Sequence, residues 1–551
     1  MENLNLGMET MQGQSPILER LFTRLQELNE IGAALSNEKN TDKLLENILL
    51  AAKGITNADA GTLYLVDDEQ QSLTFEILRT DSLGIHMGGA TGGRVPFDSI
   101  PLHVNGEPNL AMVVTYAALR GETINIDDAY AARGFDFSGT KKFDAKTGYR
   151  SRSFLTVPMR NHEHETIGVL QLINAIDPVS KAVKPFTQDD QQLLESLASQ
   201  AAIALSNRRL IEQLEGLFEA FVSLINTAID DKSPYTGGHC ARVPALTMML
   251  AEAVGRAQKG TSLQGFAMTE KEKYELKIAA LLHDCGKITT PVHVVDKATK
   301  LQTIFDRIHL VDTRFEVLKR DAEIDMLKAI LSGKESEAVV RAGYEGRIRQ
   351  LDDDREFLRK CNLGAERMAA ADQERVNLIA KYVWRNPSGE LVDFLSADEI
   401  ENLIITAGTL TAAEREIIQR HIVVTIKMLE SLPWPKHLKN VPEFAGGHHE
   451  RMDGKGYPRG LTREQMSVQA RMMGIADIFE ALTAKDRPYK DGKTLTESLH
   501  ILGKFKENGH IDPDLFDIFI REQVYLVYAK QFLDSAQIDE VDVSKIPGYT
   551  P

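Results

Sequence analysis

The sequence predicts a multidomain protein with an N-terminal α+β domain, a long connecting helix and a C-terminal all-α domain. The 551 residues suffice for about two or three domains, and their 43% hydrophobic content can fill the cores. Strand-like runs lie among helical segments in the N-terminal part, which favours an antiparallel sheet with flanking helices. Beyond about residue 190 the apolar spacing becomes helical and stays so to about residue 229.

The N-terminal domain is predicted at residues 16–190, after a flexible tail at residues 1–15. Leucines at helical spacing begin near Leu18, and four later apolar runs have the length and composition of strands. The four runs are residues 61–66, 73–78, 153–158 and 167–173. Strands between helices are typical of an α+β sensory domain.

A coiled-coil signalling helix is predicted at residues 191–229. Its apolar side chains step by four and three, which is the seam of a parallel coiled coil. They are Leu210, Leu214, Leu217, Phe221 and Leu224. Because a helix that joins two domains has no domain of its own to cover this seam, the sequence predicts a parallel homodimer.

Charge, cysteines and hydropathy exclude several classes of protein. The formal net charge of -16 argues against a nucleic-acid-binding protein, since no broad basic face could follow a phosphate backbone. Cys240, Cys285 and Cys361 lack CxxC spacing and are interpreted as reduced thiols, which predicts a cytoplasmic protein. No apolar run approaches the roughly 18 residues that cross a bilayer, and no signal-peptide pattern is present, so no membrane partner is expected.

Two segments of the C-terminal domain carry the residue types of a metal-dependent hydrolase. The first is His283-Asp284-Cys285-Gly286-Lys287, and the second runs from His448-His449 to Pro458. Imidazoles bind divalent ions, a carboxylate can bridge two of them, and a lysine neutralises a phosphate. A single histidine is more commonly a hydrogen-bonded core residue, but here such elements recur in order. The sequence therefore predicts a metal-dependent phosphodiesterase.

These motifs resemble those of the HD-GYP family of HD-domain phosphohydrolases. The resemblance covers about residues 226–525, apart from one long insertion. Its motifs are residues 231–239, 283–287, His421, residues 448–458, 476–483 and 486–490. The resemblance implies an all-α domain at residues 230–551 that hydrolyses cyclic di-GMP to pGpG, GMP or both.

The resemblance also implies two divalent metal ions, with iron or manganese favoured. Asp284 would bridge the ions. The other ligands would be His283 and Asp477 at one ion and His421, His448 and His449 at the second. His239 would join the first ion or a more distant one. Tyr235 stands where members with a third ion carry a carboxylate, which favours two ions.

Asp284 and Lys287 are the predicted catalytic residues. Water held between two ions has a pKa near neutrality and can attack a phosphodiester. Lys287 follows His283 by one helical turn and can bind a phosphate oxygen of the substrate. Arg487 and Lys490 match family positions that hold the second phosphate, although both would equally suit an exposed surface.

The turn Gly456-Tyr457-Pro458 would position the histidine pair and shape the substrate mouth, with Arg451 and Asp453 hydrogen-bonded to the loop. Two alternatives stay open. One is an HD phosphohydrolase that acts on another nucleotide, and the other is a catalytically silent receptor for cyclic dinucleotides. The complete ligand set favours the enzyme over the receptor.

The segment between His283 and His421 is longer than the family needs. The family's Gly-x-Leu-Thr-x-x-Glu segment occurs only at residues 408–414, and residues 300–303 mark where an insertion opens. The insertion, at about residues 305–405, places Val339, Ile348, Leu351 and Leu358 among charges and is predicted to be a helical hairpin. A solvated structural arm is favoured over a lid or a partner-binding role.

The N-terminal domain resembles GAF domains, and most closely those that bind cyclic nucleotides. Residues 143–153, 168–174 and 186–190 carry the resemblance. It implies Asn174, Phe186 and Asp189 as candidate ligand-binding residues, with Ala175 in place of the expected lysine. A sensor of a cyclic nucleotide or another small ligand and a purely dimerising GAF domain both stay open.

Overall fold

A computed structural model describes residues 16–38, 40–67, 69, 71–232, 238–256, 263, 265–364, 367–485 and 492–550. The predicted tail at residues 1–15 lies outside this part of the chain. The chain divides into two compact units, Met1–Leu217 and Phe218–Pro551. No helix among the described residues combines the length and apolar character that a membrane span requires.

The first unit is an antiparallel sheet with flanking helices, which confirms the predicted fold class. Its helices are α1 (Pro16–Asn37), α2 (Thr41–Thr56), α3 (Val113–Arg120), α4 (Ser138–Thr147) and the first part of α5 (Gln188–Lys232). Its strands are β1 (Ala58–Asp67), β2 (Ser72–Thr80), β3 (Ile85–Gly88), β4 (Ile100–Pro101), β5 (His103–Val104), β6 (Glu107–Pro108), β7 (Ile124–Ile126), β8 (Phe154–Arg160), β9 (Thr166–Ile176) and β10 (Val183–Lys184). The four predicted strand runs lie within or largely within β1, β2, β8 and β9.

The sheet has the order β3-β2-β1-β9-β8-β7, with β4 beside β2 and β10 beside β9. Leu63 of β1 lies opposite Leu170 of β9, and both are fully buried. One face packs against α1, α2 and the start of α5, through residues such as Leu49 and Leu197. Asn40 caps α2 by accepting from the N–H of Lys43, which satisfies a donor of the first turn. The central strands are thus covered by an apolar helical layer.

The predicted long helix is confirmed as α5. Its first turns are buried at Leu194, Leu197 and Ala201. Farther along, Leu214 is 63% exposed and Leu224 is 62% exposed in the single chain. The predicted seam is therefore uncovered, and the parallel dimer stays a prediction.

The second unit is mainly helical, as predicted. Its helices are the end of α5, α6 (His239–Arg256), α7 (Glu270–Leu282), α8 (Val292–Val295), α9 (Ile308–Ser332), α10 (Glu337–Asn362), α11 (Ala370–Ala380), α12 (Ala397–Leu403), α13 (Ala412–Glu430), α14 (Val441–Gly446), α15 (Val468–Thr483), α16 (Leu495–Glu507), α17 (Pro513–Arg521) and α18 (Val524–Phe532). Leu246, Leu276, Phe479, Phe516 and Tyr528 are fully buried in one core that joins five of these helices. Packing in this core fixes the positions of the C-terminal ends of α7 and α14 and of the middle of α15 relative to one another.

The insertion is larger in structure than a helical hairpin. Besides α9 and α10, it contains α11, α12 and a two-stranded hairpin of β11 (Val383–Arg385) and β12 (Leu391–Asp393). Phe315, Leu351, Leu358 and Phe394 are buried in a core of its own, whereas Val339 is 61% exposed. The expectation of a hairpin alone was therefore wrong, because the apolar residues of the two helices need partners from a further layer.

Buried lysines hold the two ends of the insertion together. The Lys300 ammonium donates to the carbonyl oxygens of Leu403 at 2.9 Å and Ile405 at 2.8 Å. The Lys297 ammonium lies 2.7 Å from a carboxylate oxygen of Glu414, the residue that also completes the capping box of α13. The insertion therefore leaves and rejoins the helical core at one place.

Candidate metal centre

The structure brings seven residues of the predicted ligand set together, although they come from five separate segments. His239 is the first residue of α6, His283 and Asp284 follow α7, His421 lies in α13, His448 and His449 follow α14, and Asp477 lies in α15. The ligand atoms form two groups that could each hold a metal ion. The groups are His239, His283 and Asp284, and Asp284, His421, His448 and His449. Asp284 belongs to both.

Asp284 presents one carboxylate oxygen to each group. Its Oδ2 lies 3.2 Å from Nε2 of His239 and 3.2 Å from Nε2 of His283. Its Oδ1 lies 3.2 Å from Nε2 of His421. The carboxylate is 2% exposed, so each oxygen faces protein groups and not bulk water. A carboxylate in this position can bridge two cations.

Three histidines are oriented by the same backbone contact. The Nδ1 atoms of His283 and His448 lie 2.7 Å and 2.6 Å from the carbonyl oxygens of Ala280 and Ala445, three residues earlier. His421 makes the equivalent contact. Each Nδ1–H donates to its carbonyl, so each Nε2 carries a lone pair. This arrangement is how metal-binding histidines are commonly fixed.

The interior of the centre fits divalent cations. Within the described part of the chain, Nε2 of His448 and Oδ1 of Asp284 are buried and have no hydrogen-bond partner. Nε2 of His283 lies 3.3 Å from Nε2 of His239, and Nε2 of His449 lies 3.2 Å from Nε2 of His421. Ring nitrogens this close together and unpaired buried polar atoms are unfavourable unless a proton or a metal cation lies between them. Imidazole and carboxylate ligands suit several transition metals and do not select one.

The electrostatics keep most of these ligands in their metal-binding form. Burial and the neighbouring His283 lower the pKa of His448 to about 4, and burial with His448 holds the pKa of His449 well below its usual value. Burial opposes ionisation of Asp284, but Lys287 and His283 hold its pKa well below the usual range. Neutral imidazoles and an ionised carboxylate are the ligand forms that metals need.

His239 has an acidic partner that the sequence analysis missed. Its Nδ1 lies 2.5 Å from Oε2 of Glu480, and Oε1 of Glu480 accepts from Nε of Arg242 at 2.8 Å. Burial favours the neutral form of His239, but its hydrogen bonds to Asp284 and Glu480 raise its pKa to about 9. The available signal was the spacing of Glu480 from Asp477, which places both on one face of α15. Glu480 thus orients a ligand without entering either group.

Asp477 lies at the edge of both groups. Its Oδ1 is 3.4 Å from Nε2 of His239 and 3.9 Å from Nε2 of His283, and its Oδ2 is 3.9 Å from Nδ1 of His449. These distances leave room for a cation between Asp477 and the imidazoles.

Lys287 extends from a short 3-10 turn, Cys285–Thr289, back to Asp284. Its Nζ lies 2.5 Å from Oδ2 of Asp284. Burial lowers the pKa of Lys287, but the charges of Asp284 and Asp477 outweigh it and raise that pKa, so the side chain is an ammonium. The turn lies against α13, where Gly286 N–H donates to Oγ1 of Thr425 at 2.9 Å. The Lys287 ammonium therefore lies directly beside the Asp284 carboxylate that the two groups share.

The loop after the histidine pair folds back on itself. Tyr457 stacks on the ring of His449, and the guanidinium of Arg451 binds Asp453 at 2.8 Å. Glu450 is 4% exposed and accepts from the N–H groups of Arg459 at 2.7 Å and Leu461 at 2.9 Å. Glu450 was not anticipated from the sequence. Arg487 and Lys490 lie outside the described residues.

The first unit contains a cavity of about 340 Å³ beside its sheet. Seven aromatic residues contribute to its lining, and Gln171, Thr62 and Asp136 are among the polar ones. Its aromatic residues are Tyr64, Phe75, Phe97, Phe137, Phe143, Tyr149 and Phe154. Arg79 is the one lysine or arginine among the described lining residues, and it forms a buried ion pair with Glu46.

The predicted ligand-binding residues of the first unit do not line this cavity. Asn174 is buried with a φ of 60°, and its Oδ1 accepts from the N–H of Arg152 at 2.7 Å. Phe186 is buried in the core beneath the sheet, and Asp189 is exposed in the first turn of α5. Asn174 thus holds the start of β8, and the other two belong to packing and a helix terminus.

The sequence matches family models at both units. Residues 40–205 match the model described as GAF domain, and residues 236–372 and 397–515 match two models described as HD domain. The second unit therefore contains the HD domain, and the first contains the GAF domain.

Three curated relatives share part of the sequence. A cyclic di-GMP phosphodiesterase of Pseudomonas aeruginosa is 37% identical over 24% of this chain and 31% of its own length. A 3'3'-cGAMP-specific phosphodiesterase of Vibrio cholerae is 36% identical over 22% of this chain and 27% of its own length. A probable cyclic di-GMP phosphodiesterase of Vibrio cholerae is 27% identical over 49% of this chain and 63% of its own length. The chain thus spans less than two thirds of each relative.

Proposed function

We propose that this protein, in which a GAF domain precedes an HD domain, is a metal-dependent phosphodiesterase that hydrolyses cyclic di-GMP to pGpG, GMP or both. The observation that carries the proposal is Asp284, whose two oxygens serve two histidine groups while Lys287 lies 2.5 Å away. The motif order supports the proposal that this HD domain is of the HD-GYP type. Three free cysteines fit a cytoplasmic location.

Each residue of the centre has a separate task in this proposal. When bound, two ions of iron or manganese would lower the pKa of a water and polarise the phosphodiester. Asp284 holds both sites at a fixed separation. Lys287 binds a phosphate oxygen and neutralises charge that develops there in the transition state. Arg487 and Lys490 are proposed to bind the second phosphate.

The choice of cyclic di-GMP follows the names of two of the three relatives, a cyclic di-GMP phosphodiesterase and a probable cyclic di-GMP phosphodiesterase. The cGAMP-specific relative is almost equally identical over its matched segment. A mixed cyclic dinucleotide is therefore the second candidate substrate, and both must be assayed together.

The decisive experiment measures hydrolysis by protein purified anaerobically and supplied with Mn(II) or Fe(II). The substrates are cyclic di-GMP, 3'3'-cGAMP, cAMP and cGMP, with products separated by chromatography. We expect pGpG or GMP from the wild type and from a control variant at an exposed histidine, His500→Ala. The double variant His283→Ala, Asp284→Ala should yield neither. A wild type that binds cyclic di-GMP but hydrolyses no substrate would instead support the silent receptor.

The cavity of the GAF domain favours an uncharged aromatic ligand over a cyclic nucleotide. Seven aromatic side chains line it, and the cation of Arg79 is already paired with Glu46. Asp136 is an exposed residue at the cavity lining, and hydrogen bonds from Ser138 lower the pKa of its carboxyl group. A phosphate buried there would find no unpaired lysine or arginine among the described lining residues, which is unfavourable.

Thermal unfolding of the full-length protein tests this ligand class. Adenosine is compared with cAMP, and guanosine with cGMP, because the two members of each pair differ only by the charged cyclic phosphate. We expect the nucleosides to raise Tm more than the cyclic nucleotides. The reverse order would support a cyclic-nucleotide sensor, and no shift with any of the four would support a purely dimerising domain.

The uncovered seam of α5 supports a parallel homodimer, with a second copy of the chain as the partner. Five apolar residues at four-and-three spacing are 49–63% exposed in the single chain. We propose that the GAF domain regulates hydrolysis through this helix.

A further inference from the structure

The last residue of α5 contacts the turn that carries Lys287. The ammonium of Lys232 donates to the carbonyl oxygen of Lys287 at 3.2 Å and also to that of Ile288. We propose that Lys232 is a positioning residue that fixes the Lys287 turn relative to Asp284. This inference rests on the proposed function, because that function gives Lys287 its role at the phosphate.

The contact is tertiary and not a cap of the helix itself. The two acceptors lie 55 and 56 residues farther along the chain, in the Cys285–Thr289 turn. The final turns of α5 are anchored in the core of the same unit by Val222 and Ile229. Lys232 therefore projects from a fixed helix end, and its two hydrogen bonds connect that end to the backbone of the turn.

A second element holds the same turn at Gly286. The Gly286 N–H donates to Oγ1 of Thr425 at 2.9 Å, and a Cβ on Gly286 would lie 2.1 Å from the carbonyl oxygen of His421. The turn is thus held by α13 at Gly286 and by α5 at Lys287 and Ile288. A shift of either helix would move Lys287 with respect to the metal ligands.

Through this contact, a movement of the end of α5 would change the position of Lys287 beside Asp284. Such a change needs no movement of the histidines, since Lys232 bonds the turn and not a ligand. A displacement of about 1 Å at a reacting group can cost up to about 100-fold in rate. Small movements of the α5 terminus would therefore change turnover more than metal binding.

The test uses full-length protein loaded with Mn(II). Lys232→Met removes the donor and keeps a long stem, and Lys232→Arg keeps donors at a similar reach. Lys273→Met is the matched control, because Lys273 is a partly exposed lysine paired with Glu270 on α7. Hydrogen exchange of residues 285–290, metal content, kcat and KM for cyclic di-GMP are measured for each.

We expect Lys232→Met to speed exchange in residues 285–290 and to lower kcat about tenfold, with KM and metal content within about twofold of wild type. Lys232→Arg should recover most of kcat, and Lys273→Met should match wild type. Unchanged exchange would overturn the contact. Faster exchange with unchanged kcat, or a loss of bound metal, would overturn the positioning role. If the wild type hydrolyses no substrate, the proposed function fails, whereas the exchange result still decides the contact.

Discussion

The rings of His449 and Tyr457 stack with their centroids 4.8 Å apart and their planes 30° from parallel. The N–H of Tyr457 also donates to the carbonyl oxygen of His449 at 3.3 Å. The loop that follows the histidine pair therefore returns to the second histidine and fixes the orientation of its ring. This contact gives Tyr457 a task in the metal centre that does not require it to touch a substrate.

Two substitutions of Tyr457 distinguish the contribution of the ring stack from that of the hydroxyl group. Aromatic pairs contribute about 0.5–1.5 kcal/mol beyond burial, which corresponds to about a two- to tenfold change in a binding constant. We expect Tyr457→Ala to weaken Mn(II) binding by that factor in a chelator competition, and Tyr457→Phe to stay within about twofold of wild type. Equal affinities of the Ala variant and the wild type would show that the stack does not orient His449.

A methyl group at Gly286 should disrupt the centre from within. The added Cβ would lie 2.1 Å from the His421 carbonyl oxygen and 2.6 Å from the Thr425 nitrogen, both backbone atoms. We expect Gly286→Ala to lower metal content and Tm together. The control is Gly343→Ala in the exposed part of α10, where no described atom beyond the neighbouring helix backbone lies within 4 Å of the added Cβ. Alanine there should stabilise the helix by about 0.5–1 kcal/mol. A Gly286→Ala variant with normal metal content would contradict the close packing of the turn.

Because both groups share the Asp284 carboxylate, substitutions of different ligands should remove different numbers of metal ions. Asp284→Asn removes the charge that both groups use, whereas His239→Ala affects one group. We therefore expect metal analysis to show nearly complete loss in Asp284→Asn and loss of about one ion per chain in His239→Ala. Asp393→Asn, at an exposed position in β12, should retain wild-type content. Full occupancy of Asp284→Asn would argue against a bridging role.

The motif resemblance predicts which side chains come together at the candidate metal centre, because a His-Asp pair, a His-His pair and single His and Asp residues recur in the family's order. The contacts that orient them are less visible. Glu480 resembles any helical surface charge, and Lys232 acquires its role from acceptors far away in sequence. Asn174 shows the same limit, since its left-handed backbone lies within strand β9 and its side chain accepts from the N–H of Arg152, 22 residues earlier. The hairpin of β11 and β12 was missed because each strand has only three residues.

Acid should weaken the insertion through Glu399. This carboxylate is 3% exposed and binds the guanidinium of Arg314 at 2.7 Å and 2.9 Å. Burial raises its pKa, but the hydrogen bonds from Arg314 and Ser396 outweigh it and hold the pKa below 4.5. Because the folded pKa lies below the unfolded value, the stabilisation is present above about pH 4.5 and is lost as the pH falls through the folded pKa.

Glu399→Gln isolates this contribution. We expect it to lower the free energy of unfolding of the insertion by about 2 kcal/mol at pH 7 and to flatten its dependence on pH below 4.5. Trp384, which lies 5.5 Å from the Arg314 guanidinium, reports the transition by fluorescence in a Trp434→Phe background. An acid transition of the same steepness in both proteins would assign the effect to other carboxylates.

The seam of α5 predicts the oligomeric state. Leu214, the second of the five residues in the apolar stripe, is 63% exposed in the single chain, and in a parallel pair it would face its own copy. Leu214→Arg would place two like charges there and remove apolar contact, so we expect a dimer to become a monomer in light scattering. Ser223→Arg adds the same charge at an exposed position away from the stripe and its flanking residues and should leave the dimer intact. If the wild type is monomeric, or if both variants remain dimeric, the seam does not join two copies, and the regulatory route through α5 must act within one chain.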